Sequence, residues 1–181
     1  MSTSNLQGKT LAILATDGFE QSELFEPMTQ LREMGAKVDI VSLQTGEIKG
    51  WDENDWGESV AVDKVINDAI PSDYHALVLP GGLFNPDKLR NTPEAIHFIK
   101  AFYTDNDSAP IAAICHGPWL LVESGLADDH RMTSYPSIKT DLTNAGAEWV
   151  DEEVVTDERI ITSRKPDDLP VFINAIADYL H

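Results

Sequence analysis

The chain has one cysteine, and a histidine follows it. The stretch IAAICHGPWLL, residues 111–121, runs from an apolar segment through Gly117 and Pro118 into a second apolar segment. A thiol buried as a small apolar residue needs no such neighbours. A thiol at the bend between a strand and a helix is another matter. That arrangement is a nucleophile elbow, in which a strained turn presents the side chain above a helix N-terminus. There the helix end favours thiolate over thiol, which makes Cys115 a candidate nucleophile. Gly117 lets the turn close tightly, and the backbone N–H of His116 would face negative charge developing on a substrate oxygen. Composition alone favours Cys115 as a small core residue, and its neighbours His116 and Gly117 with the turn position reverse that reading.

Two other short stretches carry possible chemistry. In LPGGLFNPD, residues 79–87, the N–H of Gly82 is either a second oxyanion donor or part of an ordinary loop. In ATDGFEQSE, residues 15–23, Glu20 and Glu23 are either site acids or solvated acids matching the macrodipole at a helix start. Trp51 and Trp56 read as packing rather than as a stacking platform for a ligand. His75, His97 and His130 lack metal-ligand spacing, and no P-loop, HExxH or CxxC pattern occurs. No metal or cofactor is expected.

The elements that must position these residues alternate. KTLAILAT (9–16), KVDIVSL (37–43), HALVL (75–79) and APIAAIC (109–115) are short apolar runs that predict buried strands. SELFEPMTQLREMGA has Leu24, Met28, Leu31 and Met34 at helical spacing and Gly35 as a stop, with Pro27 placed near the first turn. TPEAIHFIKAFYTDN and residues 117–124 predict further helices. A hairpin or excursion is expected over residues 44–64, and a helix followed by a β-hairpin over 137–166. A closing helix presents Val171, Ile173, Ile176 and Leu180. Strand, helix, strand within about 35 residues implies parallel pairing. The whole, residues 1–181, is expected to be one α/β domain with a mainly parallel sheet sandwiched by helices. In such sheets sites lie outside the carboxyl ends of strands, where the three chemical stretches fall.

Bulk properties narrow the function classes. Apolar residues make up 42% of the 181, enough for a sizeable core. The net charge of −18 argues against nucleic acid as a standing partner. No apolar run approaches the ~20 residues of a membrane span. The polar start MSTSNLQGKT and the single cysteine lead to an expectation of a cytoplasmic protein.

The stretches ALVLPGG, PDKLR, AAICHGP, TSYPSIKTDLTNAGAEWVDEEVV and TSRKPDDLP resemble the ThiJ/PfpI superfamily, and within it the PfpI-type intracellular protease and stress-protein branch. The resemblance runs from about Lys9 to about Tyr179. It implies a flavodoxin-like fold similar to the class I glutamine amidotransferase domain. It makes Cys115 the nucleophile, His116 its partner, Gly82 the oxyanion glycine and Glu23 the acid that contacts the cysteine, with Glu20 a second acid. The third triad member would be an acid from a neighbouring subunit. Asp87 matches that position, shorter than the family's Glu and one residue further from the glycines. The alternative for Asp87 is to cap a short helix starting near Pro86. The pattern at 139–141 also departs from the family, with Thr140 and Asp141 in place of two acids.

The resemblance further implies a homo-oligomer, a dimer or a hexamer, with the site near the interface. The expected activity is hydrolysis of small carbonyl compounds or glycated adducts, of deglycase or glyoxalase type. A peptidase using the same thiol is the first alternative, and a non-catalytic redox sensor or chaperone the second.

Overall fold

The computed structural model describes residues 4–181. In chain order the strands and helices are β1 (Thr10–Leu14), β2 (Phe19–Glu20), α1 (Gln21–Glu33), β3 (Lys37–Ser42), β4 (Glu47–Asp52), β5 (Asp55–Ala61), β6 (Lys64–Val65) and β7 (Ala76–Leu79). They continue with α2 (Phe84–Arg90), α3 (Pro93–Asp105), β8 (Ile111–Ile114), α4 (Trp119–Glu123), β9 (Arg131–Met132), α5 (Lys139–Asn144), β10 (Glu148–Trp149), β11 (Val154–Asp157), β12 (Ile160–Ser163) and α6 (Leu169–Leu180).

Seven strands form the central sheet in the order β11-β12-β8-β7-β1-β3-β6. All its pairings are parallel except β11 with β12, the expected hairpin. Both faces are covered, which is why the strands read as unbroken apolar runs. Along β1, Leu11 and Ile13 enter one core with Leu24, Met28 and Leu31 of α1 and Phe172, Ile173 and Ile176 of α6. Ala12 and Leu14 enter the other, with Leu89 of α2, Phe98, Ile99 and Phe102 of α3, and Leu120 and Leu121 of α4. Each fully buried Leu, Ile or Phe contributes about 1.5–3 kcal/mol.

The excursion after β3 is a hairpin, β4 with β5, which joins β2 in a separate three-stranded sheet. It packs Trp51 against Trp56 edge-on, with ring centroids 5.4 Å apart.

Two helices differ from expectation. Helix α1 begins at Gln21, so Pro27 lies in its second turn rather than its first. Proline has no N–H, so the carbonyl of Glu23 loses the donor four residues on. The helix after Cys115 was expected over 117–124 but covers only Trp119–Glu123, because residues 115–118 are spent in turns.

Candidate active site

Strands β8, β7 and β1 are neighbours, and the chain crosses the sheet in opposite directions from β1 to β3 and to β7. Their carboxyl ends therefore meet at a switch point. The three stretches singled out from sequence converge there.

Cys115 has φ 63, in the left-handed region that residues with a Cβ avoid. Such strain costs on the order of 1–3 kcal/mol and persists only where neighbours impose it. Here the neighbours are identifiable. The Cys115 N–H donates to Ser163 O at the end of β12 (3.1 Å), and the Cys115 carbonyl accepts from the Tyr135 N–H (2.9 Å). The Gly117 N–H closes the turn onto Ile114 O at 2.8 Å. A Cβ on Gly117 would stand 2.5 Å from Leu79 O, so the turn tolerates only glycine.

Gly81 and Gly82 press against the elbow. A Cβ on Gly81 would fall 2.6 Å from Glu23 Oε1 and 2.7 Å from Cys115 Cβ. Gly82 has φ 81, and a Cβ there would meet Gly18 O at 2.4 Å. Asn85, fully buried, fixes this loop. Its amide donates to Pro80 O and Gly81 O, and its oxygen accepts the Thr16 N–H at 2.8 Å. Nothing in the sequence reading singled Asn85 out. A polar residue just before a proline gives only a weak hint of a buried clamp.

Glu23 is fully buried on α1 and points at the same loop. Its Oε1 accepts the Gly81 N–H at 2.9 Å, while Oε2 has no hydrogen-bond partner among the described residues. Burial, then the charge of Glu20, pushes its carboxyl from 4.5 up to about 8, against the opposing pull of the Gly81 N–H, Cys115 and the Gly82 N–H. Glu23 is therefore a neutral acid at pH 7. Glu20, at the N-cap of α1, is itself raised by burial, then by Asp52 and Glu53.

Cys115 is only 7% exposed, so the elbow does not present an open thiol as the sequence suggested. Burial, then the charge of Glu23, pushes the thiol up, not down. A helix of five residues is too short to reverse this. The N–H groups of Gly82 and His116 pull the other way and favour the thiolate. Glu23 and Cys115 share one low-dielectric space, which resists charging both.

His116 brings Nδ1 to 3.2 Å from Cys115 Sγ. Its ring stacks on Tyr135 (centroids 4.8 Å, planes 24° apart) and meets Trp119 edge-on at 5.0 Å. Burial holds its pKa below the usual histidine value. Its Nε2 lies 3.3 Å from Ser137 Oγ. Asp87 does not touch it within the chain. Asp87 instead accepts from Arg90 Nε and a terminal Arg90 nitrogen at 3.1 and 2.7 Å. Nor does Asp87 cap a helix, because α2 starts at Phe84. The Arg90 guanidinium lies 4.0 Å above the Trp119 ring, whose Nε1–H donates to Asp141.

The remaining histidines stand apart. His75 Nδ1 accepts the Thr10 N–H, and His130 lies 3.7 Å from Glu158. A groove of about 990 Å³ lined by Ile66, Pro71, Arg90, His97 and Lys100 does not include Cys115.

Fold and site together define an α/β protein with a strained cysteine–histidine elbow at the carboxyl edge of a parallel sheet. Residues 9–179 match the DJ-1/PfpI family, and the chain belongs to it. It is 42% identical over 167 residues to General stress protein 18 of Bacillus subtilis, covering 91% of this chain and 94% of that one. It is 43% identical to the putative cysteine protease YraA of the same organism, over 91% and 94% of the two chains. It is 41% identical to protein/nucleic acid deglycase 2 of Escherichia coli, over 91% and 93%. A crystal structure of a two-domain protein from Anabaena variabilis, with DJ-1/ThiJ/PfpI-like and ferritin-like domains, superposes with a TM-score of 0.89 at 34% identity. That match covers 95% of this chain and 48% of the other, so this chain spans about half of that protein.

Proposed function

We propose that this chain is a cytoplasmic stress-protection hydrolase acting on small carbonyl compounds or glycated adducts, with Cys115 as nucleophile. One observation carries the reading. The only thiol is held at φ 63 with His116 Nδ1 at 3.2 Å and a buried, neutral Glu23 packed against the same Gly81–Gly82 loop. Strain maintained by surrounding hydrogen bonds marks a position kept for chemistry rather than packing.

The steps follow from the groups present. His116 Nδ1 takes the thiol proton, and the sulfur adds to the carbonyl carbon. The N–H groups of Gly82 and His116 face the charge that develops on oxygen. Glu23, holding a proton at neutral pH, returns it to that oxygen. With a 2-oxoaldehyde, moving the aldehyde hydrogen to the neighbouring carbon gives a thioester, and water releases the hydroxy acid and the thiol. Such a substrate needs no long groove. Asp87 of a second subunit would add its charge beside His116, in a homo-oligomer with the site near the interface.

The names of the relatives include deglycase and stress protein, which supports this reading, and a cysteine protease, which favours peptide hydrolysis by the same thiol as a second reading. Among the described residues no helix is long and apolar enough to cross a membrane. Methylglyoxal turnover by wild type and Cys115→Ala, run beside a casein assay, tests the proposal. Wild type is expected to consume methylglyoxal and the variant to lose that activity by orders of magnitude while staying folded. A variant as active as wild type overturns the assignment of Cys115, and casein cleavage without methylglyoxal turnover moves the function to the second reading.

A further inference from the structure

Both ring nitrogens of His116 have a partner within one chain. Nδ1 faces Cys115 Sγ at 3.2 Å, and Nε2 faces Ser137 Oγ at 3.3 Å. The placement of Ser137 follows from the elbow itself. The Tyr135 N–H bonds the Cys115 carbonyl, Tyr135 stacks on the imidazole, and Pro136–Ile138 turns as a single 3₁₀ element that sets Ser137 at the far edge of the ring. The segment that clamps the cysteine backbone thus also carries the serine.

We infer that Ser137 is the positioning residue for His116, supplied by the same chain, so that Cys115, His116 and Ser137 form a relay whose histidine tautomer is set within one chain, whether or not a partner's Asp87 adds its charge beside the ring. This rests on the reading of Cys115 as nucleophile. A hydroxyl both accepts and donates. With Nε2–H donating to Ser137 Oγ, the lone pair of Nδ1 faces the thiol. The S–H proton moves to Nδ1, the S–H bond breaks, and the imidazolium keeps its Nε2–H on the serine oxygen. When Nδ1 gives the proton up, the same hydrogen bond still selects the tautomer with a basic Nδ1.

A neutral serine orients the ring but does not compensate its charge as a carboxylate would. The groups facing His116 are Cys115 on its own turn, Tyr135 and Ser137 on the 133–138 segment, and Trp119 on α4. The nearby charges lie behind Trp119: Asp141 on α5 at its Nε1, and Arg90 on α2 over its ring, paired with Asp87. Among the described residues no carboxylate touches the imidazole, and burial lowers its titration.

The test uses Ser137→Ala, Ser137→Thr and Ser137→Asp in the full chain, with Cys115→Ala and Asp87→Ala beside them. Steady-state methylglyoxal kinetics against pH are read together with ¹⁵N chemical shifts of the His116 ring. Ser137→Ala is expected to lower kcat by roughly threefold to tenfold at unchanged KM, and Ser137→Thr to restore it. The ring spectrum is expected to show the Nε2–H tautomer in wild type and a mixture in Ser137→Ala. Ser137→Asp, which places a carboxylate on Nε2, is expected to raise the His116 titration by about one pH unit or more, with or without Asp87. Ser137→Ala with wild-type kinetics and an unchanged ring spectrum overturns the inference. The ring spectra are read equally well in the inactive Cys115→Ala background. A Cys115→Ala protein that still turns over methylglyoxal fails the proposed function, whereas a silent Ser137→Ala fails only the relay.

Discussion

Replacing Glu23 with glutamine keeps the shape and the carbonyl that receives the Gly81 N–H, and removes the ability to ionise. Glu23 is fully buried and titrates near 8 instead of 4.5. The folded state holds this proton more tightly than the unfolded chain, so the unfolded state gains stability relative to it as pH rises from about 4.5 through about 8. Linkage between those two values costs the native state about 1 kcal/mol at pH 5 and about 3 kcal/mol at pH 7. Glu23→Gln escapes that cost. Its stability relative to wild type is expected to rise by about 2 kcal/mol between pH 5 and pH 7, equivalent to about 4–8 °C in Tm for a chain of this length. Because the comparison is between two proteins that share every other titrating group, the large acidic charge cancels. Denaturant unfolding followed by circular dichroism at pH 5, 6 and 7 measures it. Parallel pH curves for the two proteins would show that Glu23 ionises as an ordinary surface acid, and the neutral-acid role would fall with it.

Mild peroxide is expected to add oxygen to Cys115 before the methionines, of which Met28 and Met132 are buried. Peptide mass spectrometry over a peroxide titration reads the order, and methionine sulfoxide appearing first with Cys115 intact would count against a reactive thiol. Cys115→Ser and Asp87→Ala homo-oligomers are each expected to be weak, and mixed oligomers to recover part of the activity. Full activity of Asp87→Ala alone, or verified subunit exchange without recovery, would place the complete site in one chain.

Much of this architecture was legible because short apolar runs between helices leave few alternatives. Residues 10–14, 76–79 and 111–114 pack on both faces, so their sequence shows no polar alternation, and a parallel sheet follows. The elbow was legible from Cys115, His116 and Gly117 together. Its burial was not, because exposure at a turn depends on what lies above it, here Glu23 and the Gly81–Gly82 loop. Glu23 itself sits at i+3 from Glu20 at a helix start, a place where acids are ordinarily solvated. Asn85, in the first turn of α2, and Ser137, in a 3₁₀ turn, are common polar residues, and their roles appear only when groups from other elements converge on them. Pro27 was misplaced by one turn because Gln21 and Ser22 carry no apolar signal for where the helix begins.

The clamp on Cys115 also has an order in time. Its N–H is held by Ser163, 48 positions later, and its carbonyl by Tyr135. A ribosome that has made the first 130 residues has already supplied the cysteine, the acid, both glycines and the Gly117–Ile114 bond, yet neither of the partners of the Cys115 N–H and carbonyl. Until β12 slots in beside β8, the Cys115 N–H lacks its Ser163 acceptor and one restraint on its positive φ is missing. The nascent chain therefore carries its one thiol in an unassembled site until Ser163 has been made. The last strand to be made completes the sheet and sets the elbow in the same event.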